Sequence, residues 1–146
     1  MKDNNKSQVK IINEYFGVIE TDDYEFIYEI YTDKFIIKNE IDFLNFIEKI
    51  PKKRVTKGFR KYEDSTDPLL KKPEIDFKKN MVLSIVTRNW LHYPKIERIE
   101  KGDNETIVFY SVSKPEQIHQ TPMGIGAYTL VVIPKLDGNI VFKMKN

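Results

Sequence analysis

Two stretches of this chain constrain its fold more than any others. Met81–Val86 reads MVLSIV, and Ile125–Ile133 reads IGAYTLVVI. In an extended strand successive side chains point to opposite faces. Met81, Leu83 and Ile85 then share one face and Val82, Ser84 and Val86 the other. In the second stretch Ala127, Thr129, Val131 and Ile133 alternate with Tyr128, Leu130 and Val132. A period-two run that is apolar on both faces belongs to a strand covered on both sides.

One helix accompanies them. Asn39 is placed to cap its N-terminus, and Glu40 and Asp42 fall in the first turn, where acidic groups suit the helix dipole. Phe43, Phe46, Ile47 and Ile50 recur at i, i+3, i+4 and i+7, a single apolar stripe that predicts packing on a sheet. Pro51 ends the run, and Lys49 lies in its last turn.

Around these, short strand-like runs alternate with turn signals. Val9–Glu20, interrupted at Asn13 and Gly17, reads as a strand pair or a bent strand. Tyr24–Tyr31 alternates as a strand, Thr32-Asp33-Lys34 reads as a hairpin loop, and Phe35–Lys38 returns. A short strand is expected around Val55–Tyr62, and Ser65–Pro68 reads as a turn or loop. Pro73 biases Lys72 toward extended backbone. Lys95–Lys101 is a strand in which Ile96 and Ile99 break the alternation, a sign of a bulge. Gly102-Asp103-Asn104 is a tight turn into a strand over Glu105–Ser113, with Val108, Tyr110 and Val112 opposite Ile107 and Phe109. Lys114–Gly124 is a polar connection. Asp137-Gly138 is the strongest hairpin signal in the chain, leading to a last strand with Ile140, Phe142 and Met144 inward.

The resulting fold class is α+β, mainly β: an antiparallel β-sandwich or partly open barrel of about eight to ten short strands, with one packed helix near residues 39–50. With 146 residues the chain fits one domain, 9–146, preceded by a polar tether over 1–8. Residues 9–72 form its strand–helix part and 73–146 its second part.

Composition narrows the function. Twenty-four basic against 22 acidic residues leave a net charge of +2, close enough to balance to argue against nucleic acid or an anionic membrane. Cysteine is absent, which removes disulfide and thiolate chemistry. No run approaches the ~20 apolar residues of a membrane-spanning helix. No apolar signal region follows Met1. A bacterial envelope or secreted location follows if a signal or lipid anchor was removed ahead of MKDNNKSQ, and a cytoplasmic one otherwise.

Catalytic constellations are not legible. His92 and His119, the only histidines, fall on predicted loops and read as surface residues. Ser84, Ser111 and Ser113 lie inside predicted strands, without nucleophile-elbow spacing. No metal-ligand spacing and no phosphate-binding glycine loop is present, so no metal or cofactor is expected. The best binding candidate is the loop carrying Arg88, Asn89, Trp90, His92 and Tyr93, because Trp and Tyr offer contact area at low entropy cost and Arg adds planar recognition. Trp90 could equally fold back into the core. A second candidate is the basic–aromatic patch of Arg54, Lys57, Phe59, Arg60, Lys61 and Tyr62, a pattern found in nucleic-acid and polyanion binders. The plainer reading of that patch is a charged strand edge.

The second part of the chain carries a family resemblance. IDFKKNMVLSIV (75–86), IERIEKGDNETIVFYSV (96–112) and GAYTLVVIPK (126–135) together resemble the C-terminal domain of PrcB-like proteins. The resemblance covers about half the chain, Ile75 to Lys135. It implies a non-enzymatic β-rich domain that binds another protein, as the namesake does in assembling or stabilising a bacterial surface protease complex. Two positions depart from the pattern. Thr87–Tyr93 has no glycine where the family carries a Thr-Gly-Gly-Tyr-like loop, and Ala127 stands where the family has proline.

Overall fold

The computed structural model describes residues 7–21, 30–56, 59–114 and 124–145. Its strands are β1 (Ser7–Gln8), β2 (Asn13–Glu20), β3 (Thr32–Ile37), β4 (Lys53–Thr56), β5 (Phe59–Asp64), β6 (Asn80–Thr87), β7 (Tyr93–Lys101), β8 (Glu105–Ser113), β9 (Ile125–Pro134) and β10 (Asn139–Met144). One α-helix, α1 (Glu40–Ile47), and one 3-10 turn, Pro68–Lys71, complete the described elements. No helix among them is long and apolar enough to cross a membrane.

The strands form two open four-stranded sheets and one two-stranded ribbon: β1-β7-β8-β10, β2-β9-β6-β3, and β4-β5. The two predicted double-faced strands, β6 and β9, are the inner pair of the second sheet, in antiparallel register with Leu83 opposite Val131 and Val86 opposite Tyr128. One face of this sheet presents Met81, Leu83, Ile85, Val131 and Ile133 to Ile96, Ile99, Val108 and Tyr110 of the first sheet. The other face presents Val82, Val86, Tyr128, Leu130 and Val132 to Phe43, Phe46, Ile47 and Ile50 on and just after α1. The architecture is therefore three layers, sheet on sheet on helix, with the β6–β9 sheet in the middle. Each fully buried side chain of this size contributes about 1.5–3 kcal/mol of transfer free energy.

Local chemistry follows the predicted signals in the helix and at the bulge. The Asn39 side chain accepts the Asp42 backbone N–H at 2.8 Å, closing the start of α1. The register of β7 against β8 slips between Ile96 and Arg98. That slip lets both Ile96 and Ile99 point inward despite their odd spacing. Gly126 is required by crowding, since a Cβ there would lie 2.0 Å from the Thr87 carbonyl oxygen.

Elsewhere the structure corrects the sequence reading. Asp137-Gly138 makes no hairpin. Both edges of β9 are already taken, by β2 and β6. The chain therefore turns at Gly138 (φ 88°) into the first sheet, where β10 runs parallel to β8. This is the one parallel pairing in otherwise antiparallel described sheets. Ile140 and Phe142 pack inward on β10, but Met144 is exposed. Thr32-Asp33-Lys34 are not a loop. They are strand residues, paired with Thr87, Val86 and Ile85. The strand expected over Tyr24–Tyr31 lies, except for its last two residues, outside the described residues. The single strand expected around Val55–Tyr62 is two strands, β4 and β5. Lys72 is not extended: it adopts left-handed backbone (φ 52°) to end the 3-10 turn, overriding the bias from Pro73. Among the described residues, Ser7 and Gln8, inside the stretch read as a tether, already pair with β7.

Candidate functional site

The loop after β6 is the first predicted site, and the structure divides its residues. Thr87 ends β6 fully buried, and its hydroxyl donates to the His92 carbonyl at 2.7 Å, with the Asn89 carbonyl at 3.1 Å. Asn89 is buried. Its side chain accepts the Leu91 N–H at 2.9 Å and its carbonyl accepts the His92 N–H at 2.9 Å. His92 is buried as well, which corrects its reading as a surface histidine. Asn89 and His92 therefore act as internal staples of the loop. Trp90 is half-buried; its N–H donates to the Ile125 carbonyl at 3.2 Å, and its Nε1 is enclosed with no partner among the described residues. Tyr93 begins β7 with half of its surface exposed. His119 lies outside the described residues.

Arg88 alone points from this loop into a concavity. Its guanidinium meets the Asp33 carboxylate through Nη2 at 3.3 Å and Nε at 3.4 Å, and lies 5.7 Å from the centre of the Tyr31 ring. The pair closes one end of a groove of ≈ 450 Å³ between β3 and α1. Its floor is apolar, made by Ile19, Phe35 and Val86, and its far wall is Asn45, Glu48 and Lys49. A second hollow of ≈ 230 Å³ shares Phe35, Asn45 and Lys49 and continues along β3 to Ile37 and Asp42. In the sheet order β3 is an edge strand among the described elements. The groove thus follows a strand edge. An apolar floor with a charged rim has the form of grooves that take extended or amphipathic segments, and the described lining residues include no nucleophile–base pair.

The groove walls are fixed from beneath. Phe46 of α1 meets Phe35 and Tyr128 edge to face, with ring centres 5.6 and 5.7 Å apart. Tyr128 donates its hydroxyl to the Asp67 carboxylate, 2.7 Å from Oδ2 and 2.9 Å from Oδ1. Asp67 also accepts the Leu69 N–H at 2.9 Å. Burial pushes the Asp67 carboxyl above its ordinary range, against the pull of those two donors. Burial, and then the Asp67 charge, push the Tyr128 hydroxyl far above its usual value. Through these hydrogen bonds the pair ties the 65–72 segment to the central sheet. Gly17 makes room for it: a Cβ there would sit 2.5 Å from Asp67 Oδ2 and 2.7 Å from the Tyr128 ring.

The basic–aromatic patch falls on the β4–β5 ribbon. Lys53 pairs with Asp64 at 2.7 Å and Arg60 with Glu20 at 2.6 Å, both exposed to solvent. The Lys53 hydrogen bond, and then its charge, hold the Asp64 carboxyl below its ordinary value. Arg54 and Lys61 are exposed, and Tyr62 is 97% exposed. Lys57 lies outside the described residues. No group of three or more metal-ligating side chains gathers among those described.

Sequence reasoning missed Asn45, Glu48 and Lys49 as groove residues. Their signal was available: they flank the buried Phe46 and Ile47, which sets them on the rim of whatever α1 covers. Asp33 was hidden by its reading as a turn residue. No protein-family model, no characterised protein and no solved structure matches the chain.

Proposed function

We propose that this protein is a non-enzymatic protein-binding module, an accessory subunit of a bacterial envelope complex of the kind its PrcB-like resemblance implies. Its contact surface is the groove between β3 and α1, closed by Arg88, and is extended past the groove by Trp90 and Tyr93 of the same 88–93 stretch, which do not line it. The observation that carries this reading is the groove itself: an apolar floor under a charged rim, running along a strand edge, into which Arg88 of the candidate loop projects. Arginine and large aromatics are the residues that most often anchor protein interfaces.

The test uses the full chain as bait for an envelope extract, followed by calorimetry with each purified candidate partner. Arg88→Ala, and separately Trp90→Ala with Tyr93→Ala, should each weaken the purified partner about tenfold or more, that is by at least ~1.4 kcal/mol. Thermal unfolding should show each variant still folded. A partner that binds both variants as it binds the parent removes this surface. Failure to retain any protein removes the reading as a whole.

A further inference from the structure

We infer that the β4–β5 ribbon is a docking surface for single-stranded nucleic acid, separate from the groove. The inference starts from charge. Residues 52–64, which span the ribbon, hold six of the chain's 24 basic residues and two acidic ones, Glu63 and Asp64. The remainder of the chain holds 18 basic against 20 acidic residues, a net charge of −2. Near-neutrality of the whole is thus the sum of a cationic ribbon and a weakly anionic body. A polyanion is drawn to this molecule first at the ribbon.

The ribbon is built to present those charges. It belongs to neither four-stranded sheet. The Lys53–Asp64 and Arg60–Glu20 pairs hold its two strands and anchor one of them to β2. Lys52, Arg54 and Lys61 remain exposed, and no ion pair involves them among the described residues. The register jumps from Lys53 opposite Asp64 to Val55 opposite Arg60. Arg54 therefore lies opposite the whole Lys61-Tyr62-Glu63 stretch, so one cation and one carboxylate flank Tyr62 in sequence and a second cation stands across the ribbon from it.

Tyr62 selects the kind of polyanion. At 97% exposure its ring adds nothing to the core. It sits along the ribbon rather than at its tip, so it forms a platform, not a wedge for a bilayer. Cations that track a phosphate backbone beside an aromatic ring that stacks on unpaired bases are the two parts of a single-strand binding surface.

The test is fluorescence anisotropy with a labelled oligothymidine of about twenty nucleotides, titrated from low salt upward. Three exposed cations predict a log–log salt slope of about −2. Arg54→Glu with Lys61→Glu should abolish binding. Tyr62→Ala should weaken it at least about fivefold while leaving the salt slope unchanged, because the ring carries stacking and no charge. All three residues are solvent-exposed, and matched unfolding curves confirm that the variants fold. No binding at low salt overturns the inference, as does binding indifferent to the charge reversals. Binding that heparin displaces equally well and that Tyr62→Ala does not weaken overturns it too, since it reports only a generic cationic surface.

Discussion

Tyr128→Phe deletes one oxygen atom and tests how the helix-side core is held. The ring stays, so its edge-to-face contact with Phe46 is kept. What is lost is the donor that reaches both Asp67 carboxylate oxygens, at 2.7 and 2.9 Å. A hydrogen bond to a charged group contributes about 1.5–3 kcal/mol. Asp67 is partly within reach of water, which favours the lower half of that range. With an unfolding entropy of about 2.1 cal/mol/K per residue, the loss lowers Tm by ~5–7 °C. The pH dependence sharpens the test. Burial raises the folded-state pKa of Asp67 above its ordinary 3.8. The folded protein therefore binds this proton more tightly than the unfolded chain, and stability falls as pH rises through the raised value. Removing the donor raises that pKa further. The deficit of Tyr128→Phe should then be small near the unfolded value and reach its full size above the folded one. Urea unfolding at a series of pH values measures both. A deficit under about 0.3 kcal/mol at neutral pH, or one that grows on acidification, would refute the reasoning.

Phe46→Ala removes a ring with 3% of its surface exposed, which packs between Phe35 and Tyr128, and should cost about 3–5 kcal/mol by chemical denaturation. Thr87→Val keeps the buried shape but deletes the hydroxyl that reaches the His92 and Asn89 carbonyls; it should cost about 1–3 kcal/mol and speed amide exchange across residues 88–92.

The sequence pattern was most legible where side-chain period alone decides structure. Met81–Val86 and Ile125–Ile133 announced a sheet covered on both faces, and the structure places them together in the middle layer. The helix stripe announced what it covers. Ile96 and Ile99 announced a bulge through a spacing no regular strand allows. Illegible features depend on what else occupies the neighbouring space. Asp137-Gly138 has hairpin chemistry, but a hairpin needs a free strand edge, and β9 has none. Asn89 and His92 are polar residues on a loop, so composition sent them outward; the backbone groups of a tight loop drew them in. Gly17 was read as an interruption of a strand. A glycine inside a strand also marks close approach, and here it makes way for Asp67 against Tyr128.

The same contacts bear on how the groove would bind. One wall is β3, paired along its length to β6. The other is α1, fixed to the middle sheet through Phe46 and Tyr128, with the Lys49 carbonyl accepting the Glu20 N–H at 2.7 Å. The Arg88 end is set by a loop whose backbone is bonded inward at Thr87, Asn89 and Trp90. None of these walls can shift without disturbing buried packing. A surface formed before its partner arrives loses little entropy on binding. Substitutions beneath the groove and substitutions within it should then separate cleanly. Phe46→Ala should lower affinity mainly by loosening the wall, in step with its loss of stability. Arg88→Ala should lower affinity with far less loss of stability, because it removes one partly exposed side chain from the rim. Measured on the same partner, equal ratios of affinity loss to stability loss for the two variants would mean that the groove is shaped only upon binding, and that its walls are not the fixed surfaces these contacts describe.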